Sequence, residues 1–246
     1  MRLIFKSVFF VVCATFVYAQ DVDTVINRHL QAIGGKKRWK SLHSLYFRLR
    51  ATRDVVKSGG VVGGASAASQ IIYVRHNIGK QRITKTARRF NKTLFTRQGG
   101  WTSYLNDTLK MVAMDKAKWL GNKGSLNLEH EFIDYAQKGL RLRLRKRPQR
   151  INNVKCFVID GVTRSGSKRI FYIRQSDYML VGRAELPSKK QSNQGATIFE
   201  VVYDDFRFVQ GYCFPFTHYI NGGKLTVKVE DWQPNVSIDN VRFQVP

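Results

Sequence analysis

The residues best suited to catalysis are histidines and carboxylates, and their spacing does not favour a catalytic or metal site. Glu129-His130-Glu131 lacks the second histidine of a zinc-protease helix. Asp204-Asp205 precedes Phe206 and a turn at Gln210-Gly211, which favours a turn role over acid–base catalysis. The histidines share no metal-ligand spacing and are His29, His43, His76, His130 and His218. The sequence therefore predicts no enzyme, no metal and no cofactor.

A second set of residues has the chemistry to bind anions. Arginines alternate with leucines in the segment that follows Gly139. Because side chains alternate between the two faces of a strand, Leu140, Leu142 and Leu144 face one side and the arginines face the other. The sequence predicts an anion-binding row, with a charge-protected edge strand as an equal alternative. This arginine row comprises Arg141, Arg143, Arg145 and Arg147.

The net charge of the chain is strongly positive. It is +25 at pH 7. It is +23 without Arg2 and Lys6, which belong to the signal peptide predicted in the next paragraph. Such an excess attracts anionic surfaces such as lipid headgroups, lipopolysaccharide or nucleic acid, although a solvated basic surface is the simpler interpretation. Nucleic acid is disfavoured, because Phe171, Phe199 and Tyr203 occupy alternating strand positions that suit core packing. The charge therefore favours an anionic ligand or an anionic membrane surface as the partner.

The amino terminus has the pattern of a secretory signal peptide. Two positive residues precede an apolar run from Val8 to Val17, which is too short for a membrane span. Val17-Tyr18-Ala19 then fits a cleavage site. We expect a signal peptide over residues 1–19 and a single domain over residues 20–246.

The two cysteines of the expected mature chain have two possible roles. Export to an oxidising compartment permits a disulfide between Cys156 and Cys213. Each cysteine also lies within a strand pattern, where it suits a small buried apolar position. The sequence leaves both alternatives open.

The elements that must position these residues are mostly strands. Apolar residues at three- and four-residue spacing predict a helix that ends at Gly34-Gly35, and a short helix follows over Lys36–Leu42. Further helices are predicted over Leu109–Leu120 and Leu126–Lys138. Strand alternation, as in Ser44–Val56, fills most of the rest. The pattern predicts an α+β, mainly β, fold with about ten or eleven antiparallel strands and helices on one face.

Several motifs occur in the same order as in a known family. The segment Val25–Leu45 resembles the start of the exported outer-membrane lipoprotein-sorting proteins, relatives of the periplasmic lipoprotein carriers LolA and LolB. That start is a helix ending in Ala-x-Gly-Gly, a basic turn, and Leu-x-Ser-Leu. Later matches extend over nearly the whole chain; they are Gly100-Trp101, Phe132–Gly139, Ile170–Ile173, Tyr203–Phe206, Gly211–Pro215, Val229-Glu230 and Asn235–Ile238, with Phe243 and Pro246 at the end.

The resemblance implies an incomplete, unclosed antiparallel β-barrel whose concave apolar face is covered by a helical lid. It implies a periplasmic, monomeric carrier of a lipid-like ligand, such as the acyl chains of lipoproteins. Each buried methylene contributes about 0.8 kcal/mol, so acyl chains need no polar chemistry to be held. The alternative is a basic module without catalysis, whose arginine row binds lipopolysaccharide or other anionic envelope polymers.

The predicted ligand contacts are the apolar residues that face the interior. Ordinary core packing is the competing explanation for each of them. The contacts from strands are Leu45, Phe47, Leu49, Ile72, Leu142 and Phe171, and those from the lid are Ile26, Leu30 and Phe132.

Overall fold

Two helices begin the part of the chain that the structure, a computed structural model, describes. Helix α1 spans Val22–Ala32 and α2 spans Lys36–Lys40, in agreement with the sequence prediction. The side chain of Asp21 caps α1 by accepting a hydrogen bond from the N–H of Thr24 at 2.6 Å. The described residues are 21–53, 56–57, 60–61, 66–75, 81–86, 91–96, 99–103, 112–115, 130–186 and 199–239, so the predicted signal peptide lies outside them.

The described residues also form sixteen strands. Fourteen of them belong to one antiparallel sheet, and β2 and β3 form a separate hairpin between β1 and β4. The strands are β1 (Ser44–Arg53), β2 (Val56–Lys57), β3 (Gly60–Val61), β4 (Ser66–Arg75), β5 (Gln81–Thr86), β6 (Asn91–Phe95), β7 (Gly100–Thr102), β8 (Val112–Ala113), β9 (Arg141–Leu144), β10 (Gln149–Ile151), β11 (Val154–Val162), β12 (Lys168–Arg174), β13 (Leu180–Leu186), β14 (Phe199–Val209), β15 (Tyr212–Ile220) and β16 (Leu225–Pro234).

The large sheet consists of two meanders joined at one seam. Strands β10 to β16 lie side by side in sequence order, and β1 is followed by β4 to β8. At the seam β1 pairs with β16, with Leu45 opposite Pro234 and Arg53 opposite Leu225. Within the described residues the outermost strands β10 and β8 do not pair with each other, so the sheet is open. This confirms the incomplete, mainly β barrel; strands such as β8 and β10 exceed the predicted number because they are too short to give an alternating pattern.

The two helices and residues 130–139 pack on one face of this sheet, and we call them together the cover. Phe132 in the cover meets Phe171 of β12 edge to face, with ring centroids 4.8 Å apart. Trp39 of α2 meets Tyr212 of β15 in the same way at 5.4 Å. The core therefore lies between the cover and the sheet. Its buried residues include Val25, Ile26, Leu30, Leu45, Ile133, Leu140, Ile159, Ile173, Leu180, Phe216, Val229 and Trp232.

Residues 131–139 form consecutive turns, whereas the sequence predicted a helix over Leu126–Lys138. Asp134 has a positive φ of 49°, and a left-handed residue at this point breaks the repeating backbone geometry of an α-helix. The helix predicted over Leu109–Leu120 is also wrong where it is described, because Val112–Ala113 forms β8 and pairs with β7. There, pairing within the sheet overrides local helix propensity. The remaining residues of both predicted helices lie outside the described ranges.

The turn between α1 and α2 fits closely against the turn between β14 and β15. Gly34 has no room for a side chain, because an added Cβ would lie 2.1 Å from the carbonyl oxygen of Gly211. The carbonyl oxygen of Ile33 accepts two hydrogen bonds, from the backbone N–H of Cys213 at 3.0 Å and from the indole N–H of Trp39 at 2.9 Å. These contacts fix the position of the cover on the sheet.

Candidate functional site

The predicted ligand contacts meet in the core between the cover and the sheet. Five are buried there and three are partly buried against it. Ile72 lies in β4, at the position directly opposite Phe47 of β1. The buried residues are Ile26, Leu30, Leu45, Phe132 and Phe171, and the partly buried residues are Phe47, Leu49 and Leu142. The contact of any of them with a ligand stays a prediction.

A cavity of about 270 Å³ lies between the cover and strands β13 to β15. Its walls are mainly apolar and aromatic, and histidines and one carboxylate, that of Glu131, interrupt them. The lining residues are His29, Ile33, Trp39, His130, Glu131, Leu180, Tyr203, Phe206, Cys213, Phe214, Pro215 and His218. None of the predicted ligand contacts is among these lining residues.

His29 and His130 form a hydrogen-bonded pair in the wall of this cavity. His29 Nδ1 lies 2.7 Å from the carbonyl oxygen of Tyr178, which can only accept, so His29 Nδ1 carries the hydrogen. The backbone N–H of Phe132 donates to His130 Nδ1 at 3.4 Å, so the hydrogen of His130 is on Nε2. That Nε2 faces the free Nε2 of His29 at 3.5 Å. The contacts are thus satisfied when both rings are neutral.

The surroundings of the pair favour the neutral form of both rings. Burial, reinforced by the neighbouring His130, lowers the pKa of His29 from 6.5 to about 3. Burial, reinforced by Lys138 and Arg183, lowers the pKa of His130 from 6.5 to about 4. Burial also lowers the pKa of His218 on the opposite wall. At neutral pH the cavity therefore presents uncharged imidazoles.

Two arginines of the sheet meet Glu131 at the border of the cavity. Arg169 Nη1 lies 3.2 Å from one carboxylate oxygen of Glu131, and Arg183 Nη1 lies 3.5 Å from the other. Arg169 also lies 3.6 Å from Glu185. The Nε atoms of Arg169 and Arg183 are buried and have no hydrogen-bond partner. Among the described residues, the indole N–H of Trp232 is the other buried side-chain donor without a hydrogen-bond partner.

Sequence reasoning missed this arginine cluster although a signal was present. Arg169 is two residues before Phe171, and residues two apart in a strand point to the same face. The register places Arg183 directly opposite Phe171 and Glu185 opposite Arg169. The alternation that predicts an inward Phe171 therefore also predicts an inward Arg169, whereas the place of Arg183 depends on strand pairing.

The arginine row lies on an edge of the sheet, as its interpretation as a charge-protected edge strand requires. Strands β9 and β10 pair with successive parts of β11 and together form this edge. Arg141, Arg143 and Arg147 are exposed and Arg145 is half-buried. Asp160 on β11 forms ion pairs with Arg143 at 3.1 Å and with Arg145 at 2.7 Å. The hydrogen bond from Arg145 is the main cause that lowers the pKa of Asp160. One carboxylate thus serves two arginines of the row.

A broad groove of about 1090 Å³ runs between the start of α1 and β9. Its floor contains Leu142, Leu144 and Phe157, which pack partly against the core. Four cationic side chains and one carboxylate line it, namely Arg28, Arg143, Arg145, Lys146 and Asp21. The groove therefore combines an apolar floor with a basic rim.

The two cysteines are free thiols, and both are buried. The structure thus decides in favour of the apolar role and against the disulfide. Burial raises the pKa of the Cys213 thiol to about 11. Across the described ranges no three potential metal-binding side chains come together, and neither helix is long and apolar enough to span a membrane.

Solved structures resemble this architecture over most of the chain. A LolA superfamily protein from Nitrosomonas europaea aligns with a TM-score of 0.56 and 11% identity, over 92% of this chain and 99% of that one. The chain has the LolA fold. A domain from Vibrio parahaemolyticus, proposed to act in outer membrane lipoprotein sorting, aligns with a TM-score of 0.57 and 11% identity over 89% and 97% of the two chains. A DUF1329 family protein from Desulfovibrio piger aligns with a TM-score of 0.62 and 11% identity over 91% and 97%.

The LolA fold confirms, at the level of architecture, what the sequence motifs indicated. No family model matches the sequence, and no curated protein matches it. The likeness to LolA structures therefore lies in the fold. In this LolA-like chain the cavity lies between the cover and the sheet. The arginine row lies on an edge of the sheet, and none of its residues lines the cavity.

Proposed function

We propose that the protein is an exported, periplasmic carrier of a lipid-like ligand, such as the acyl chains of a lipoprotein, and not an enzyme. The observation that carries this proposal is the apolar cavity between the cover and the open sheet of a LolA fold. Apolar walls with few polar groups are typical of small-molecule sites. The ligand would lie in the space between the cover and the sheet.

The size of the cavity defines how the ligand would be held. Its volume of about 270 Å³ is at the lower limit of ligand pockets, which begin at about 300 Å³. It therefore accommodates the end of an acyl chain, and a longer chain requires the cover to move away from the sheet. The predicted contacts Ile26, Leu30 and Phe132 would then face the chain from the cover, and Leu45 and Phe171 from the sheet.

Movement of the cover away from the sheet would break the polar contacts between these two layers. They include the hydrogen bond from His29 Nδ1 to the carbonyl oxygen of Tyr178 at 2.7 Å and the one from the Tyr212 hydroxyl to the carbonyl oxygen of Arg38 at 3.0 Å. A hydrogen bond contributes about 0.5–1.5 kcal/mol net to stability. Burial of several methylenes of an acyl chain, at about 0.8 kcal/mol each, is needed to offset the loss of such contacts.

The proposal is tested by native mass spectrometry of the exported protein, purified at high salt, before and after loading with phospholipid or an acylated peptide. A bound acyl ligand that survives high salt is the expected result, because apolar burial does not weaken with ionic strength. Leu180→Phe, which enlarges a side chain in the cavity wall, should reduce loading. Leu186→Phe is the matched control on the same strand away from the cavity. An apo protein that resists loading with every acyl ligand would refute the proposal.

A second candidate function is the binding of anionic envelope polymers such as lipopolysaccharide. The observation that favours it is the basic groove beside the arginine row, where four cationic side chains face one carboxylate. Binding of this kind falls steeply with salt, in contrast to acyl burial. Arg143→Gln with Lys146→Gln, which removes two of the four cations that line the groove, should then weaken binding of lipopolysaccharide at low salt and leave acyl loading unchanged.

A further inference from the structure

We infer that Arg169 and Arg183 bind a terminal oxyanion of the ligand, so that the carried molecule is an acidic amphiphile with a carboxylate or phosphate at one end. This inference rests on the proposed carrier function and specifies its ligand class. The acyl chain would occupy the apolar cavity, and the acidic group would lie at the cavity border where the two guanidinium groups meet Glu131.

The two arginines are placed side by side by the strand register. On β12 and β13, Arg169 lies opposite Glu185 and Phe171 lies opposite Arg183. Arg169 and Arg183 are therefore diagonal neighbours on the face that carries the buried Phe171. Diagonal positions of this kind are about 7–8 Å apart at the backbone, within reach of long side chains. The two guanidinium groups can thus approach one anion.

The present partners of the two arginines leave donors unused. Charge-assisted N–H···O bonds are typically about 2.7–2.9 Å long. The contacts to Glu131 measure 3.2 Å from Arg169 and 3.5 Å from Arg183. Neither Nε–H has a hydrogen-bond acceptor; Arg169 Nε lies 3.6 Å from a carboxylate oxygen of Glu185, beyond hydrogen-bond distance. Because buried donors are almost always paired in proteins, this deficit indicates a missing acceptor. A carboxylate or phosphate supplies several acceptor oxygens at once.

The remaining groups at this border are compatible with an anion. His130, His218 and Tyr203 line the cavity beside the cluster, and Arg183 acts electrostatically on all three. Arg183 lowers the pKa of the two histidines, although burial is the larger cause. The one carboxylate lining the cavity is that of Glu131. A ligand oxyanion would therefore compete with Glu131 for the same donors.

This competition gives the inference a test with effects of opposite sign. Binding of palmitate and hexadecyl phosphate to the exported full-length protein is compared with binding of uncharged methyl palmitate, by titration calorimetry at moderate salt. We expect the acids to bind at least about tenfold more tightly than the ester. Arg183→Gln should reduce this preference to near unity without weakening ester binding. Glu131→Gln should increase the preference, because it releases both guanidinium groups.

The controls separate this inference from the carrier function. Arg207→Gln removes a surface arginine that pairs with Asp205 and should leave the preference unchanged. Equal affinity for acid and ester in the unaltered protein would overturn the inference and leave the carrier function standing. A preference retained in Arg183→Gln, or decreased in Glu131→Gln, would also overturn it. Failure to bind either acid or ester would refute the carrier function itself. A preference for only one of the two acids would identify carboxylate or phosphate as the natural group.

Discussion

Mild acidification should destabilise the folded protein through its buried histidine pair. The pKa of His29 is lowered from 6.5 to about 3 and that of His130 from 6.5 to about 4, so both remain neutral in the folded state at about pH 5.5. In the unfolded chain each imidazole has a pKa near 6.5 and binds a proton at that pH. The unfolded state thus binds more protons, and stability falls as the pH decreases below about 6.5.

The magnitude follows from proton linkage. At about pH 5.5, protonation of one histidine with a pKa near 6.5 stabilises the unfolded chain by about 1.4 kcal/mol, and at about pH 7.5 by less than about 0.1 kcal/mol. The pair therefore lowers the free energy of unfolding by about 3 kcal/mol between these two values. His218, whose pKa is also lowered, acts in the same direction. The carboxylates whose pKa is lowered titrate at more acidic pH and do not contribute in this window.

The assay is urea unfolding followed by tryptophan fluorescence and circular dichroism at several pH values. His130→Gln retains an acceptor for the N–H of Phe132 and a donor toward His29, but does not titrate. It should therefore remove about 1.4 kcal/mol of the pH dependence. His43→Gln, at an exposed position, controls for the loss of an imidazole. A decrease of less than about 1 kcal/mol in the unaltered protein, or an unchanged slope in His130→Gln, would refute the neutral-pair assignment.

Four further substitutions, one of which is a control, test the packing described above. Gly34→Ala should lower the free energy of unfolding by more than about 2 kcal/mol in urea titrations, because the new Cβ would clash with the Gly211 carbonyl and φ is +110°. Gly166→Ala, with a positive φ but open space around it, should cost only about 1 kcal/mol, and equal costs would refute the close fit. Gly161→Ala should cost about 1–3 kcal/mol and alter the near-ultraviolet circular dichroism, because the methyl group would lie 2.8 Å from the Phe171 ring; an unchanged spectrum would contradict this. Phe171→Ala should cost about 3–5 kcal/mol by calorimetry, and a value under about 1 kcal/mol would mean that the ring is not a core element.

The features that sequence reasoning predicted correctly are those with a local signal. Helix α1 has apolar residues at three- and four-residue spacing and ends before the double glycine, as predicted, and both glycines have a positive φ. The leucines of β9 alternate with arginines, and the alternation of burial follows them. The open sheet was implied by the family resemblance, which rests on the order of weak motifs over nearly the whole chain. For the helix and the strand, a few neighbouring residues determine the outcome.

The features that were missed depend on contacts between distant residues. The left-handed Asp134 within residues 130–139 is held by Lys36 and Lys40 of α2, which are almost a hundred positions away. The partly buried site at Arg183 requires the register of β12 with β13 and the cover above it. Neither arrangement has a signature in the local sequence. The cavity depends in the same way on how the cover is seated, so its lining residues differ from the predicted contacts.

The single seam between β1 and β16 has a consequence for how the chain assembles. Each meander is built from strands that are neighbours in the sequence, so each one forms through short-range loop closure. Only the seam requires two strands that are separated by most of the chain. Completion of the sheet is therefore a late, docking-like step that awaits synthesis of the last strand. If the chain is divided between β8 and β9, the two fragments should accordingly reassociate by pairing of β1 with β16.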